Sequence, residues 1–527
     1  MRRFKTSTRL HIPEFAAMFE RLTNSILETA RQRIAELFDA HAEWFYTVSD
    51  GNTQALRGSE LDINITQNRL ILSCWTDKGT RLWRIRGWNW TGEKLELQAS
   101  RRMGAERPVI ELTPRASASA IAATVRAARQ ARCHQLALLA SGLQPGAKIE
   151  RASLSPGIRR GQPGRYARIL LRLKNHRIGV TGSVAATNPS DVDEFLSAAL
   201  LWFERTSERA RAPYVQQLWL LVETDLVKPL TVRVALLRAS LRSTIVIYEL
   251  DQAWTELSQV ACPELEELWK KRLARFRPIT PPATSEAAQV IIAEAPEAID
   301  VVQARHGETL RYFGLPFARV RSLMDSELVW FGIEGSRRRL LDEKTEHEWA
   351  VLLGDLHEHR SALASDHRHA LYRTAGEAWL ESLLRRDISK LDPGLIVAPL
   401  HAQFRMARGG RLGVRPIDLL ALRRDGRLVV IELKVSEDRE HVLQGADYWQ
   451  RVEAHRRRGY IWQARLFGER RIRAESPLVY LVAPTLRVHP SFQTLARLIA
   501  PNVEMYRFDI NENWRAGVRV MRRMRVN

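Results

Sequence analysis

Three charged side chains interrupt an apolar hairpin near the C-terminus of this 527-residue chain. The segments "IDLLAL" and "RLVVIELKV" are apolar and of strand length, and "RRDGR" between them carries an Asp-Gly turn signal. Asp418 lies near the start of the first strand, and Glu432 and Lys434 lie near the end of the second. Burying a charge costs several kcal/mol unless the charge is paired or binds a metal. These three residues are therefore candidates for chemistry.

Strand geometry predicts that the three side chains converge. Residues two apart in a strand share a face, so Glu432 and Lys434 point the same way, and the hairpin brings Asp418 to the same end. Two close carboxylates raise each other's pKa unless a cation lies between them, and such oxygen ligands suit Mg²⁺ or Mn²⁺. A metal-activated water beside an ammonium could attack a phosphodiester. The alternative is a surface hairpin in which Glu432 and Lys434 pair with neighbours.

The order of these motifs resembles the PD-(D/E)xK nuclease superfamily over about residues 365–515. "ID" is followed fourteen residues later by "ELK", although Pro-Ile-Asp stands here where the family has Pro-Asp. "QGADY" places Gln444 and Tyr448 at i,i+4 on one helix face, similar to the QxxxY motif of the RecB-type branch. The resemblance implies metal-dependent phosphodiester hydrolysis. In that reading Asp418 and Glu432 bind the metal, Lys434 orients the water or stabilises the transition state, and Gln444 and Tyr448 border the site.

The same resemblance implies a further metal ligand on the first helix of the domain. "GEAWLESLL" offers Glu377 and Glu381 at i,i+4. We favour Glu381 because apolar residues flank it, and Glu377 is the alternative. The expected cofactor is Mg²⁺ or Mn²⁺.

The charge of the chain predicts a polyanionic partner. The net charge is +21, with 81 Lys and Arg residues, of which only 11 are Lys. Such a skew towards Arg can also reflect codon composition. Nucleic acid is the expected partner, with DNA favoured over RNA because the resembled family acts mostly on DNA in repair, restriction or defence. Basic segments near the hairpin offer phosphate ligands: Arg405, Arg408, Arg411, Arg415, Arg451, Arg456 and Arg457.

The pattern along the chain predicts an α/β multidomain protein. A helix over about 13–47 and a small Trp-rich antiparallel β unit make up 1–115, and an α/β domain follows over 116–274. The Pro-, Ala- and Thr-rich stretch 275–300 predicts a linker, and 301–360 a small mixed basic module. The resemblance to the PD-(D/E)xK superfamily implies that residues 361–527 form a restriction-endonuclease-like αβββαβαβ core.

One internal repeat is a candidate degenerate copy of the catalytic hairpin. "ARILLRLKNHRIGVTGS" (167–183) has the length and pattern of 418–434, and it places Ala167, Thr181 and Ser183 where the later segment has Asp418, Glu432 and Lys434. This alignment predicts a catalytically dead nuclease-like domain that binds nucleic acid, dimerises or braces its neighbour. The alternative is that any αββαβα segment aligns this well, and different strand orders would exclude the repeat.

The remaining features point to a protein of a reducing cytoplasm. Cys74, Cys133 and Cys262 are far apart and fit no disulfide or zinc spacing. No apolar run approaches the ~18 residues of a membrane span, and the N-terminus lacks the apolar core of a signal peptide. A homodimer is left open. The alternative to a Mg²⁺-dependent deoxyribonuclease is a nucleic-acid-binding or scaffold protein with an inert nuclease-like domain.

Overall fold

A computed structural model describes most of the chain, in two compact units, Met1–Ala122 and Ala123–Asn527. The described residues are 20–21, 26–48, 53–76, 79–91, 94–101, 107–114, 118–157, 163–209, 214–270, 283–304, 307–323, 326–333, 338–404 and 416–527. Among the described residues, no helix has both the length and the apolar character needed to cross a membrane.

The N-terminal unit is one helix on an antiparallel sheet. Its elements are β1 (Glu20–Arg21), α1 (Leu27–Ala40), β2 (Glu43–Val48), β3 (Thr53–Arg57), β4 (Leu61–Thr66), β5 (Arg69–Thr76), β6 (Gly79–Trp90), β7 (Leu95–Ser100) and β8 (Val109–Pro114). The sheet order is β3-β2-β8-β7-β6-β5-β4, with β1 against β6. The predicted helix over 13–47 is wrong on both sides of α1. Glu20–Arg21 is a strand paired with β6, and "EWFYTV" in β2 alternates exposed and buried side chains as a strand does. Residues 13–19 lie outside the described residues.

The second unit opens with the repeat that the sequence predicts to be catalytically dead. Its elements are α2 (Ala118–Gly142), β9 (Lys148–Pro156), β10 (Pro163–Arg172), β11 (Arg177–Ser183), α3 (Val192–Arg209), β12 (Val215–Glu223), α4 (Thr224–Ala235), α5 (Ala239–Arg242), β13 (Ile245–Leu250) and β14 (Leu257–Val260). The six strands form one sheet in chain order, from β9 at one edge to β14 at the other.

A small sheet module separates the two repeats. It consists of α6 (Glu286–Glu294), β15 (Ile299–Ala304), β16 (Gly307–Tyr312), β17 (Leu315–Leu323), β18 (Ser326–Phe331), β19 (Arg339–Leu340) and α7 (Glu346–His359). Nine residues of the predicted linker therefore form a helix. Ser285 caps α6 by accepting a hydrogen bond from Ala288 N, and Ala288 and Ile291 are buried in the core of this module. Residues 271–282 lie outside the described residues.

The C-terminal repeat carries the candidate catalytic motif. Its elements are α8 (Ala370–Arg373), α9 (Gly376–Arg386), β20 (His401–Phe404), β21 (Ile417–Leu422), β22 (Leu428–Leu433), α10 (His441–Arg457), α11 (Tyr460–Gln463), β23 (Leu478–Pro484), α12 (Phe492–Leu498), β24 (Met505–Ile510) and β25 (Val520–Arg525). Its six strands also form one sheet in chain order, from β20 to β25.

The two six-stranded sheets have the same topology. In each sheet the first two pairs of neighbouring strands are antiparallel, the next two are parallel and the last is antiparallel. The helices fall at the same connections: α3 and α10 after the third strand, α4 and α12 after the fourth. Different strand orders in the two sheets would have excluded the internal repeat. The two strand orders are the same, so the repeat is not excluded.

The hairpin registers of the two repeats differ by one residue. Leu419 pairs with Ile431, so continuing the ladder by one residue sets Asp418 opposite Glu432. In the first repeat Thr181 pairs with Arg168, while Ala167 pairs with Gly182. The hairpin loop is five residues in the C-terminal repeat and four in the first. Arg168, and not Ala167, therefore occupies the ladder position of Asp418.

The two repeats pack through equivalent helices. One continuous apolar core contains residues of α3 and α4 from the first repeat and of α10 and α12 from the second, among them Phe195, Leu230, Trp449 and Phe492. An antiparallel bridge joins Leu237, just after α4, to Ile499, just after α12. Equivalent helices of the two repeats therefore contact each other. The arrangement resembles an isologous dimer interface, but it lies within one chain.

Candidate active site

Glu432 occupies the middle of the C-terminal sheet. Its strand β22 is buried at all six positions because β21 and β23 flank it and helices cover both faces. Ile431 and Leu433 face the α9 side, where the core includes Trp379 and Val482. The alternation of β22 turns Glu432 to the other face, on which α10 lies, and its side chain is only 2% exposed.

Lys434 and Asp418 approach Glu432 from its own strand and from the neighbouring one. Lys434 Nζ donates to Glu432 Oε1 at 2.8 Å and lies 3.5 Å from Asp438 Oδ2. Asp418 Oδ2 accepts a hydrogen bond from the backbone N–H of Leu433 at 2.9 Å, which holds its carboxylate at the end of β22. The three residues singled out in the sequence therefore meet at one end of the hairpin.

The ion pair with Lys434 compensates the charge of Glu432 only in part. Burial, and after it the nearby charge of Asp418, raises the pKa of Glu432 well above its ordinary value of 4.5, although Lys434 acts in the opposite direction. Burial also disfavours the charged form of Lys434, but the carboxylates of Glu432 and Glu377 outweigh it and raise the pKa of that ammonium. The site thus holds one ammonium against several acidic groups.

The residues present fit a divalent cation with oxygen ligands. Glu432 Oε2 is buried and receives no hydrogen bond from the described residues, so one carboxylate oxygen is free to bind an ion. Within the same part of the chain, no three His, Cys, Asp or Glu side chains are arranged as a ready metal cage. Mg²⁺ needs no such cage, because it keeps several waters and binds proteins through one or two carboxylates.

The two candidate glutamates of α9 have different surroundings. Glu381 is buried and forms an ion pair with Arg311 of β16, at 3.2 Å. Glu377, one turn earlier, is the residue of α9 whose charge acts on Lys434. The sequence favoured Glu381 as the upstream ligand. Its ion pair with Arg311 of the small sheet module gives Glu381 a structural partner, so we assign the role of ligand to Glu377 in the proposed function.

The two residues of the QxxxY motif also differ in their contacts. Tyr448 is buried; its burial, and then the charges of Glu432 and Asp418, raise the pKa of its phenol, which places it beside the carboxylates. Gln444 Nε2 donates to Glu440 Oε2 at 3.0 Å, while Gln444 Oε1 is buried without a hydrogen bond from the described residues. Tyr448 therefore borders the carboxylates, and Gln444 contacts the loop that follows Lys434.

The predicted phosphate ligands divide into three groups. Arg405, Arg408, Arg411 and Arg415 lie outside the described residues. Arg456 and Arg457 both donate to the buried carboxylate of Glu453, which neutralises part of their charge. Arg451 lies over the ring of Tyr448 with 5.4 Å between its guanidinium carbon and the ring centroid, so it is the described arginine of this set that is next to the site.

Sequence reasoning missed a set of residues that hold α10 in place. Arg233 of α4 forms ion pairs with Asp193 of α3, at 2.9 Å, and with Asp447 of α10. Asp447 also pairs with Arg451. His441 lies with its Nε2 3.3 Å from the carbonyl oxygen of Glu432. The position of Asp447 inside the QxxxY motif was the only local signal, since its partner Arg233 lies 214 residues earlier.

A cleft opens beside Glu377 and the residues that directly follow Lys434. Its volume is about 620 Å³, and it is bordered on one side by Glu377, Val435 and Ser436, next to Lys434. Its other walls carry the cationic side chains of Arg373, Arg487 and Arg515. Glu512 also lines the cleft, whereas Asp418, Glu432 and Lys434 do not. A cleft lined by three arginines beside Glu377 suits a phosphodiester strand.

Comparison of the chain with protein-family models, with curated proteins and with solved structures found no match.

Proposed function

We propose that the chain is a metal-dependent nuclease whose C-terminal repeat is a restriction-endonuclease-like domain that hydrolyses phosphodiester bonds. The observation that carries the proposal is the buried Glu432 carboxylate, which shares its end of the sheet with Asp418 and Lys434 and keeps one oxygen without a hydrogen bond from the described residues. Such an arrangement is costly for stability, and groups with strongly shifted pKa values cluster at functional sites.

Each side chain of the site has a role in that reaction. Asp418 and Glu432 would hold Mg²⁺ or Mn²⁺, with Glu377 as the ligand from α9. The chemistry supplied by the cation, when bound, is Lewis-acid activation of water and of the phosphodiester. Lys434 is fixed by Glu432 and Asp438, so its ammonium can stabilise negative charge on the phosphorus centre without reorganising.

The surroundings of the site support a nucleic acid as the substrate. The net charge of +21 favours binding of a polyanion, and Arg451 stands beside Tyr448 at the site. Contacts to phosphates carry no sequence information by themselves, so the binding they provide is expected to be sensitive to salt and largely independent of sequence. DNA is the expected substrate, from the resemblance to the PD-(D/E)xK superfamily.

The test is cleavage of single-stranded DNA, double-stranded DNA and RNA by the purified full chain, in Mg²⁺, Mn²⁺ or EDTA. Lys434→Met removes the ammonium with little change in shape, and Lys344→Met, at an exposed position, is the matched control. We expect metal-dependent cutting by wild type and Lys344→Met and a loss of at least about 100-fold in Lys434→Met. Nucleic-acid binding without cutting on any substrate would favour the scaffold alternative.

A further inference from the structure

The first repeat carries a cation where the C-terminal repeat carries its first acidic residue. Arg168 occupies the ladder position of Asp418, and Thr181 occupies that of Glu432. Both pairs lie on the sheet face that is covered by the helix after the third strand, α3 in one repeat and α10 in the other. An arginine and a hydroxyl cannot hold a divalent cation, but they match the chemistry of a phosphate oxygen.

Three further arginines surround Arg168. Arg151 of β9 pairs with Leu170, two residues along β10 from Arg168, so Arg151 and Arg168 share a sheet face. Arg205 comes from α3, which covers that face, and Arg439 comes from the loop between Lys434 and α10 of the C-terminal repeat. We call Arg151, Arg168, Arg205 and Arg439 the arginine cluster.

The arginine cluster has an excess of positive charge. Burial, followed by the charges of Arg205, Arg439 and Arg151, lowers the pKa of Arg168, and no carboxylate offsets this effect. None of the four guanidiniums forms an ion pair with a carboxylate of the described residues. Of the nearby acidic groups, Asp438 already faces Lys434, and Glu437 precedes it in the same loop. Arg151, Arg205 and Arg439 are exposed, so a large anion can reach them.

We propose that the arginine cluster binds the sugar-phosphate backbone of the nucleic acid that the C-terminal repeat acts on. In this proposal the C-terminal repeat binds the metal and cleaves the strand, and the first repeat, which lacks the metal ligands, binds the sugar-phosphate backbone. Arg439 links them, because it follows Lys434 by five residues and so lies at most ~18 Å from it along the chain. At about 3.4 Å per nucleotide, a strand held by the cluster reaches the site within roughly five steps.

The part of this proposal that leads the bound strand to the cleavage site rests on the proposed nuclease function. Binding of nucleic acid at the arginine cluster does not. The two proposals can therefore fail separately. Binding is measured in EDTA, where no metal-dependent cutting occurs, by the fluorescence anisotropy of a labelled DNA duplex over a series of KCl concentrations. The test variant is Arg168→Ala combined with Arg205→Ala in the full chain.

The control removes the same charge elsewhere on the C-terminal repeat. Arg470→Ala combined with Arg471→Ala changes two exposed residues near the turn of the β21–β22 hairpin, where the backbone of Arg471 packs on Gly426, at the end opposite Lys434. Circular dichroism and thermal unfolding of both variants establish that the fold is kept. A third variant, Arg205→Ala alone, changes only an exposed side chain in case the double variant fails to fold.

We expect the cluster variant to bind DNA about tenfold more weakly near physiological salt, with the slope of log Kobs against log[KCl] reduced by about 1.5. The control should change the affinity less than about twofold. Equal losses in the two double variants, or none in the cluster variant, would overturn the proposal. Displacement of DNA from wild type but not from the cluster variant by low concentrations of inorganic phosphate would also overturn it, in favour of a small-anion site.

Discussion

The carboxylate of Glu432 is held in an unfavourable state by its own surroundings. It is buried, it faces Asp418, and only one of its oxygens is bonded to Lys434. A protein that evolved for stability alone would replace such a residue, because like charges that are withdrawn from water repel strongly. A cation at the free oxygen would relieve both the repulsion and the missing hydrogen bond.

Mg²⁺ should therefore stabilise the folded protein through Glu432. With free Mg²⁺ at 100 times its Kd, binding adds about 2.7 kcal/mol to the free energy of unfolding, which thermal denaturation detects as a rise in Tm. Glu432→Gln should abolish the rise, because the amide is a poor ligand for Mg²⁺. Glu437→Gln, at an exposed position in the next loop, should keep it. An unchanged Mg²⁺ effect in Glu432→Gln would place the cation elsewhere.

A second buried group of α10 predicts how stability depends on pH. Burial, and then the charge of Arg458, lowers the pKa of His455 to about 4, from 6.5. The unfolded chain binds a proton at this histidine below pH 6.5 while the folded protein does not, so stability is present above pH 6.5 and is lost as the pH falls towards 4. The loss amounts to roughly 3 kcal/mol for this group.

Denaturant unfolding between pH 7 and pH 4 measures this contribution. His455→Gln should flatten the fall in the free energy of unfolding relative to wild type, and His134→Gln, at an exposed position of α2, should not. If His455→Gln loses stability as steeply as wild type, the imidazole does not titrate with a lowered pKa in the folded state.

At the scale of elements, the position of α10 on the sheet determines where Tyr448 stands. Gly445 makes this position possible, because a Cβ at that residue would lie 2.6 Å from Leu481 Cδ2 and 3.0 Å from Val479 Cγ1 of β23. Helix and sheet therefore approach more closely here than a larger residue allows.

Gly445→Val should push α10 away from β23 and displace Tyr448 from the carboxylates. We expect a loss of about 1–3 kcal/mol in the free energy of unfolding, together with a fall in cleavage rate while the protein is still folded. The matched control is Gly354→Val in the middle of α7, where nothing lies within 4 Å of an added Cβ. Equal effects of the two substitutions would mean that the close approach at Gly445 has no special role.

The strands and helices that carry the site could be predicted from the sequence, but the tertiary contacts of its side chains could not. Apolar alternation and the Asp-Gly turn located β21 and β22, and Gly426 takes the positive φ of 87° that such a turn requires. Spacing on one strand brought Glu432 and Lys434 together. The choice between Glu377 and Glu381 depended on Arg311, which arrives from a separate sheet 70 residues earlier, and no local pattern reports such a contact.

The repeat shows the same division between local and distant information. Its pattern of strands and helices was readable, because hydrophobic period is a local property. The sequence alignment placed the first hairpin in a register that is wrong by one residue. The reason is that its loop is one residue shorter, which shifts every cross-strand pair. The packing of α3 and α4 on α10 and α12 could not be read at all, because surface complementarity between distant segments leaves no periodic signal.

At the scale of the whole molecule, the two repeats form one folding unit. The apolar face of α10 and α12 is covered by the first repeat, and Arg233 crosses the interface to Asp447. A fragment of residues 361–527 would expose Val442, Leu443 and Trp449 of α10 to water. We expect this fragment to self-associate or precipitate, and residues 123–527 to be soluble and monodisperse. Size-exclusion chromatography of the two fragments tests this expectation. A fragment of residues 361–527 that is monomeric and unfolds cooperatively would contradict it.

The central claim is that Asp418, Glu432 and Lys434 form a metal-dependent site that cuts nucleic acid. The most direct measurement is the rate of DNA cleavage by the full chain in Mg²⁺ and in EDTA, for wild type and for Glu432→Gln. We predict cutting by wild type in Mg²⁺ alone, and a rate at least about 100-fold lower in Glu432→Gln. Cutting that survives EDTA, or that is the same in both proteins, would contradict it.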